Sequence, residues 1–425
     1  MKDWRNLIFP LILCGIVTIN LYAQNDLEYY LKSAYQNSAG LHENRGIAKS
    51  AEYDKSIVEA QFSSPYLSVT SNYLFAPFFN NDKFITTSPG ENAIGYDAGI
   101  TNGGLYSAQL NLEMNLFSGG SADAFKNQAD LKIKSAGSAS EIVKHTLERD
   151  VTAQYLTAVE SFEILKLSRE IADTLRYQYK LAGKLNKNGL LKESDLLLLK
   201  LETDSYDFNC NLQYIEYRKN LIALNTICGI TDTSFKVLKE VELETKNPVN
   251  QSSFLRQFEI DSLSLVNMQE INETKYLPRI SLFINTGLNA VELPGIEKKF
   301  GMSAGVNFSL PLYDGGQRDI TRQQTQISLG TVQAYRKSTG TMISNNISTS
   351  LIQIETANKK LDQFSEQISG YERFLALAKA ELFKGLRSMT EYLSAVGNFI
   401  ELKKNHLSTK FDILQSMNLY NFWNW

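Results

Sequence analysis

Histidine and cysteine are nearly absent from this 425-residue chain, with 3 of each. That scarcity excludes a His/Cys metal centre and a cysteine framework. Proline is also rare, at 8 residues, so long stretches run free of helix breakers. Neither sign of charge predominates, since 43 Lys and Arg stand against 46 Asp and Glu. No global basic field exists to hold a polyanion, which excludes nucleic acid as a partner. A mean hydropathy of −0.23 excludes a hidden bundle of membrane helices. Aromatic residues are plentiful, at 21 Tyr and 22 Phe. This composition permits an extended, helix-rich protein that is not an enzyme, although ~150 residues per domain would divide it into two or three domains.

Lys2 and Arg5 precede an apolar run from Leu7 to Leu21, and Leu21-Tyr22-Ala23 stands before Gln24. The pattern reads as a secretory signal peptide over 1–23, cut after Ala23. Its apolar run of about 15 residues falls short of the ~20 of a spanning helix. Cys14 follows Leu13 where a lipid-attachment site requires a small residue, so lipidation is not expected. Cys210 and Cys228 remain; on one helix they would lie about 27 Å apart, too far for a bridge.

Past the signal, an internal repeat dominates the organisation. Ser118-Gly119-Gly120 recurs as Asp314-Gly315-Gly316, an offset of 196. Lys187-Asn188-Gly189-Leu190 recurs as Phe383-Lys384-Gly385-Leu386 at the same offset, and Asp195 and Leu197 map onto Glu391 and Leu393. Pro65 corresponds to Pro278 at an offset of 213, so the first copy carries 17 extra residues between its proline and its glycine pair. The expected layout is a first repeat over 24–226, an equatorial linker over 227–251 and a second repeat over 252–425.

Between each proline and glycine pair the sequence alternates with period two. Tyr106, Ala108, Leu110, Leu112, Met114 and Leu116 interleave with Ser107, Gln109, Asn111, Glu113 and Asn115. In the second copy Met302, Ala304, Val306, Phe308, Leu310 and Leu312 interleave with Ser303, Gly305, Asn307, Ser309 and Pro311. Ile280, Leu282, Ile284 and Leu288 precede them, as Leu67, Val69, Tyr73 and Phe75 do in the first copy, where Ser71 and Leu74 blur the pattern. The spacing predicts β-hairpins at about 65–117 and 279–313. Such strands fit a half-solvated soluble sheet or a membrane barrel, and their length and aromatic ends favour the barrel. Four strands cannot close a barrel, and an open edge in lipid leaves backbone groups unpaired, so several chains must share one. Two chains give eight strands and a filled interior; three give twelve and a space. The small, polar set of the alternate face fits a wet lumen and hence a homotrimer.

After each glycine pair the period becomes helical. Val143, Leu147, Val151, Tyr155, Ala158, Phe162, Leu165, Ala172, Leu175, Tyr179 and Ala182 recur three or four residues apart over most of their run. A helix continuing to Asn188 would rise about 100 Å. The helical hairpins are expected at about 121–226 and 317–420, turning at Gly189 and Gly385. Ser388 and Glu391 have the spacing of a capping box. Gly119, Gly120, Gly315 and Gly316 mark the strand-to-helix joints. Val237 to Glu244 alternates apolar with charged residues and suggests a short strand in the linker.

Other motifs point elsewhere. Gly301-Met302-Ser303-Ala304-Gly305 fits the G-x-S-x-G elbow of hydrolases, which needs a strand, a sharp turn and a helix. Here it lies inside an alternating strand. His42, His145 and His406 sit on separate helical segments without metal-ligand spacing, so no metal or cofactor is expected. Glu193, Asp195, Glu381 and Glu391 near the turns read singly as solvated helix residues. In a trimer each becomes a ring, and Glu193 and Glu381 then mark a possible charged constriction. Leu190 and Leu386 are apolar at turns, where partner contact accounts for them better than an interior role.

Leu277-Pro278-Arg279-Ile280-Ser281, Leu310-Pro311-Leu312-Tyr313-Asp314-Gly315-Gly316-Gln317-Arg318 and Gly385-Leu386-Arg387-Ser388 resemble the second repeat of the TolC-like outer membrane efflux protein family. The two-repeat layout extends the resemblance over the whole mature chain. It implies a mainly α protein with a membrane β-barrel part, as a trimer sharing a twelve-stranded barrel in the outer membrane of a Gram-negative bacterium and an α-helical barrel across the periplasm. It further implies an outer membrane channel of a tripartite efflux or type I secretion system, passively conducting substrates from a periplasmic adaptor and an inner-membrane RND or ABC pump. Adaptor-contact positions carried over are Gly189, Leu190, Ser194, Asp195 and Leu197, and Gly385, Leu386, Arg387, Ser388, Glu391 and Leu393. The first copy reads Gly-Leu-Leu-Lys where Arg and Ser or Thr are usual, and the second has Glu391 where Asp is common. A trimeric outer membrane structural protein or adhesin, with the helices as a stalk, is the competing expectation.

Overall fold

The computed structural model describes residues 26–80, 85–86, 91–96, 104–290, 293–384 and 386–425. The signal peptide expected at 1–23, the turn glycine Gly385 and parts of the first hairpin loop lie outside the described residues.

Asp26 starts α1 (Leu27–Asn37), its carboxylate accepting from the Tyr29 amide at 3.1 Å. Helix α2 (Ala39–Ser63) leads into β1 (Tyr66–Phe75), and two-residue strands β2 (Phe78–Phe79) and β3 (Ile85–Thr86) pair within the hairpin loop before β4 (Gly104–Phe117). The first helical hairpin is α3 (Ser121–Lys187) and α4 (Glu193–Ile227). The second copy runs α5 (Arg256–Thr274), β5 (Arg279–Ala290), β6 (Phe300–Ser309), α6 (Gln317–Phe383) and α7 (Met389–Trp423). Helices α3 and α6 have 67 residues each, and α4 and α7 have 35 each, so the repeat governs length as well as order. At 1.5 Å per residue the long pair rise about 100 Å.

Two compact units cut across the repeats. One comprises 39–143 and 250–343 and holds the sheet. Its four strands lie in the order β1-β4-β5-β6, all antiparallel, so the two copies meet where β4 pairs with β5. The alternation continues on paper to Leu312, but β6 ends at Ser309, ahead of Pro311, which has no N–H for a ladder.

The other unit comprises 26–38, 144–249 and 344–425 among the described residues. Along α3 the helical period is realised as burial: Val151, Tyr155, Ala158, Leu165, Ala172, Leu175 and Ala182 are all inside. Tyr30, Tyr155, Tyr217, Leu221 and Leu224 form the centre of one core, with the Tyr30 and Tyr155 rings edge-on at 5.7 Å. Each such side chain contributes roughly 1.5–3 kcal/mol by leaving water. Cys210 and Cys228 are free thiols, and burial pushes the Cys228 thiol up to about 12.

The linker departs from expectation, since no strand forms over Val237–Glu244. Val241 and Leu243 turn into the core as the alternation suggested, but Leu238, of the opposite parity, is buried too and Val237 is exposed. The backbone, however, is satisfied by side chains in place of a neighbouring strand. Tyr155 Oη donates to the Lys239 carbonyl at 2.8 Å, and Tyr217 Oη to that of Lys236. Asn421 donates to the Glu244 carbonyl at 2.8 Å and accepts from the Lys246 amide at 2.8 Å. Asn424 accepts from the Val249 amide at 2.9 Å and donates to the Asn247 carbonyl at 2.9 Å.

Helix α3 is tied to α1 and the end of α7 in this unit by His145 and Glu148. The buried His145 ring is stacked at 5.1 Å on Phe422 and 4.3 Å on Trp425, with Nε2 2.9 Å from the Phe422 carbonyl. Glu148 accepts from Tyr35 Oη at 2.5 Å and lies 3.4 Å from His145 Nδ1. The hydrogen bond from His145, reinforced by that from Tyr35, holds the Glu148 carboxyl down at about 2. A depressed carboxyl stabilises the fold above its ordinary value of 4.5 and loses that contribution as pH falls through about 2. Thermal melting of Glu148→Gln against the parent chain should therefore show a deficit that is full near neutrality and vanishes toward pH 2. A deficit independent of pH would refute the linkage.

Candidate functional site

Register sorts the sheet into two faces, because directly opposed residues of an antiparallel pair project to the same side. One face carries Val69 opposite Leu110, Leu67 opposite Leu112, Leu282 opposite Met114 and opposite Val306, and Ile284 opposite Leu112 and opposite Ala304. Ser71 and Thr286 are its polar interruptions, which places the blurring Ser71 on the apolar side and Leu74 on the other. The second face carries Ser68, Thr70, Asn72, Gln109, Asn111, Glu113, Asn285, Ser303 and Asn307. Asn111 donates across it to Thr70 Oγ1 at 2.8 Å. The apolar face is uncovered by the chain itself, with Val69 75% and Val306 61% exposed. Strands β1 and β6 are each paired on one side only, so the sheet has two open edges.

Ser303 of the G-x-S-x-G stretch pairs with Asn285 in the middle of β6, with no turn or helix beside it. The glycine at 305 makes room for an aromatic ring, since a Cβ there would come within 2.6 Å of Phe283 Cζ. The motif is a packing pattern on the polar face.

At the joints, Gly119 and Gly120 (φ 60° and 80°) and Gly315 and Gly316 (φ 73° and 85°) occupy the left-handed region that disfavours side chains. The first two also differ in crowding: a Cβ at Gly119 would meet Leu277 Cβ at 2.7 Å. Asp314, which the sequence reading passed over, organises the second joint. Its carboxylate accepts from the Gly316 amide at 2.9 Å, the Arg318 amide at 2.8 Å and Tyr276 Oη at 2.6 Å, and the tyrosine above all holds it below the usual range. Glu273 receives Arg322 at 2.7 Å and Arg318 at 2.5 Å, and those guanidiniums lower its carboxyl in turn. An acid ahead of a glycine pair at a helix start was the available signal.

The helical hairpins close with matching chemistry. Gly189 (φ 72°) allows the Leu190 amide to reach back to the Leu185 carbonyl at 2.9 Å, and its own amide donates to Asn186 at 2.9 Å, a Schellman closure. In the second copy the Leu386 amide makes the equivalent bond to Glu381 at 2.9 Å. Leu190 and Leu386 are left 72% and 76% exposed. Glu193, Ser194 and Asp195 form the first turn of α4, where the acids face the positive end of the helix dipole. Glu381 is bonded to Arg387 at 2.8 Å, and the guanidinium lies 5.4 Å over the Phe374 ring. The capping box is complete: Glu391 N donates to Ser388 Oγ at 3.2 Å, and Ser388 N to the Glu391 carboxylate at 3.3 Å. Ser388→Ala should cost about 0.5–2 kcal/mol, read as a lower unfolding midpoint, while Thr at 388 retains most of it. No loss on Ser388→Ala would mean that the box contributes nothing.

The two hairpins share one core, in which Leu175, Ala182 and Leu199 meet Ala378, Leu382, Met389, Tyr392 and Leu393. The turns are thus brought side by side. They are not equivalent in detail, as Leu393 is buried while its counterpart Leu197 is exposed. Gln178 links them, donating to Tyr392 Oη at 3.0 Å, a bond that crosses 214 positions and left no local signal. On α4, Leu201, Phe208, Ile215 and Ile222 recur every seven residues and are all exposed.

Among the described residues no group of three or more His, Cys, Asp or Glu gathers to hold a metal ion, and no helix is long and apolar enough to cross a membrane.

This combination, one four-stranded sheet built from two copies together with two very long helical hairpins, is the fold of the TolC-like outer membrane channels. Residues 268–421 match the family described as outer membrane efflux protein, a family of channel proteins, which confirms the resemblance seen in the second repeat. A membrane protein from Pseudomonas aeruginosa superposes with a TM-score of 0.74 at 15% identity, over 94% of this chain and 93% of that one. The outer membrane protein VceC from Vibrio cholerae gives 0.72 at 14% identity, over 94% and 96%. The Campylobacter jejuni CmeC outer membrane channel gives 0.71 at 15% identity, over 94% and 85%. No curated protein sequence matches the chain.

Proposed function

We propose that three copies of this chain close a twelve-stranded barrel in the outer membrane and a helical barrel in the periplasm, as a passive export duct of a tripartite efflux or type I secretion system. The open-edged sheet with one uncovered apolar face carries the reading. Lipid would cover that face, yet each edge left open in lipid costs several kcal/mol per unpaired backbone group. Pairing β6 of one copy with β1 of the next preserves the antiparallel alternation and removes both edges. Twelve strands leave a lumen, onto which the Ser and Asn face would point. The heptad stripe on α4 supports a helical neighbour from another copy.

The turns at Gly189 and Gly385 are then the periplasmic tips, with Leu190, Ser194, Asp195, Leu386, Arg387, Ser388 and Glu391 facing an adaptor coupled to an inner-membrane RND or ABC pump. The chain has no nucleotide-binding loop of the Gly-x-x-x-x-Gly-Lys-Ser/Thr kind, so energy enters from that pump. Threefold symmetry makes rings of Glu193 and Glu381. Because Arg387 neutralises Glu381, the field of a constriction would come mainly from Glu193. The duct rests closed at this end and opens when adaptor contact rearranges the helix pairs.

Purified protein should run as a trimer and pass small, intermittent current across a planar bilayer, as the closed end opens only briefly without its adaptor, and in intact cells added protease should leave the helices uncut. A non-conducting trimer whose helices are digested from outside would identify a surface stalk.

A further inference from the structure

The unit that holds the hairpin core also contains an open groove between α3 and the α6–α7 hairpin, which no part of the duct reading uses. It encloses about 440 Å³, within the range of small-molecule sites. Leu167, Ile171, Leu375, Val396 and Phe399 make its walls apolar. Gln178, Lys379 and Lys403 stand among them, together with Glu170, Thr174 and Tyr392. The Gln178 amide spends its Nε2 on Tyr392, and its Oε1 is buried without a hydrogen-bond partner. Buried polar atoms of this kind are rare unless a ligand or water completes them. Lys379 makes no ion pair among the described residues. Lys403 lies 3.7 Å from Glu372 and 4.8 Å above the Phe399 ring, presenting its ammonium at the rim. Glu170 is the one carboxylate in the lining and Glu372 at the rim takes Lys403, so Lys379 is the cation left for a ligand.

We infer that this groove is a binding site for an anionic amphiphile: an apolar body along the helix walls, an acidic head on Lys379, and a hydroxyl donating to Gln178 Oε1. Lys379 selects the acid over a neutral or cationic molecule, and the unpartnered acceptor selects a ligand with a donor. Gln178 lies about 16 Å of helix from the turn at Gly189. Occupancy would wedge the first hairpin against the second, a regulatory consequence that rests on the duct reading, whereas the site itself does not.

The full chain in neutral maltoside detergent can be photolabelled with a hydroxydodecanoate bearing a mid-chain diazirine, alongside its uncharged methyl ester. Saturable labelling should fall on peptides covering 167–178 and 392–403. It should be roughly tenfold weaker for the ester and for Lys379→Glu, and lost in Ala376→Trp, which fills the groove. Gln178→Leu, which also gives up the bond to Tyr392, should lower the melting midpoint and weaken labelling by the acid at temperatures where the variant remains folded. Equal labelling by acid and ester, labelling confined to the sheet, or none in the groove would overturn the site, whether or not the trimer conducts. So would displacement of the probe by no excess of unlabelled hydroxydodecanoate.

Discussion

Arginine at Leu110 should abolish stable trimers in the outer membrane, while arginine at the next residue, Asn111, should leave them intact. Leu110 lies mid-strand on the apolar face, opposite Val69 on one side and Thr286 on the other. A cation at the bilayer midplane of a barrel costs roughly 2–4 kcal/mol. A trimer carries three, so the sum of roughly 6–12 kcal/mol rivals the whole stability of a typical domain. Asn111 lies on the polar face, opposite Ser68 and Asn285, where the duct reading places water. Arginine there replaces one hydrogen bond, that to Thr70, and adds three positive charges to the lumen. Membrane fractions probed for a heat-sensitive trimer band should show none for Leu110→Arg and a normal one for Asn111→Arg, whose conductance shifts toward anions. If the sheet stood in water instead, Leu110, which the chain itself leaves uncovered, would face solvent and its substitution would be nearly silent. A normal trimer in Leu110→Arg would therefore remove the basis of the barrel.

The period-two alternation that underlies this contrast is legible in the sequence, because burial and exposure on a pleated strand leave a mark at every second residue. The helical period of α3 is legible for the same reason, and so is the capping box, whose two members stand three residues apart. Contacts without a local spacing are not. That β4 pairs with β5, joining the two copies, follows from a register between segments far apart in the chain. Asp314 shows its role only once Tyr276 and Arg318 stand beside it. Val237 to Glu244 imitates a strand because Val241 and Leu243 pack inward at period two, but Leu238 is buried out of that period and the backbone bonds that would define a ladder go to Tyr155, Tyr217 and Asn421. Periodicity reports which side chains are buried; it does not report what satisfies the main chain.

The hairpin turns present the opposite balance, with small folding consequence and large functional consequence. Leu190 and Leu386 are largely exposed, and the backbone bonds that close their turns need no leucine side chain. Aspartate at both should change stability within ~0.5 kcal/mol, as at other surface positions. If a partner buries these leucines, each substitution removes roughly 1.5–2 kcal/mol of apolar contact and adds a desolvation cost, a factor of at least about ten in affinity per turn. The double variant should form normal trimers that conduct in bilayers, yet fail to retain the periplasmic adaptor on affinity capture and lose export from cells at least about tenfold. Tyr392→Phe supplies the internal control, because it removes the Gln178 bond inside the hairpin core without changing the turns, and should lower the melting midpoint with adaptor capture preserved. Full retention of the adaptor by Leu190→Asp/Leu386→Asp would place the contact elsewhere on the helices.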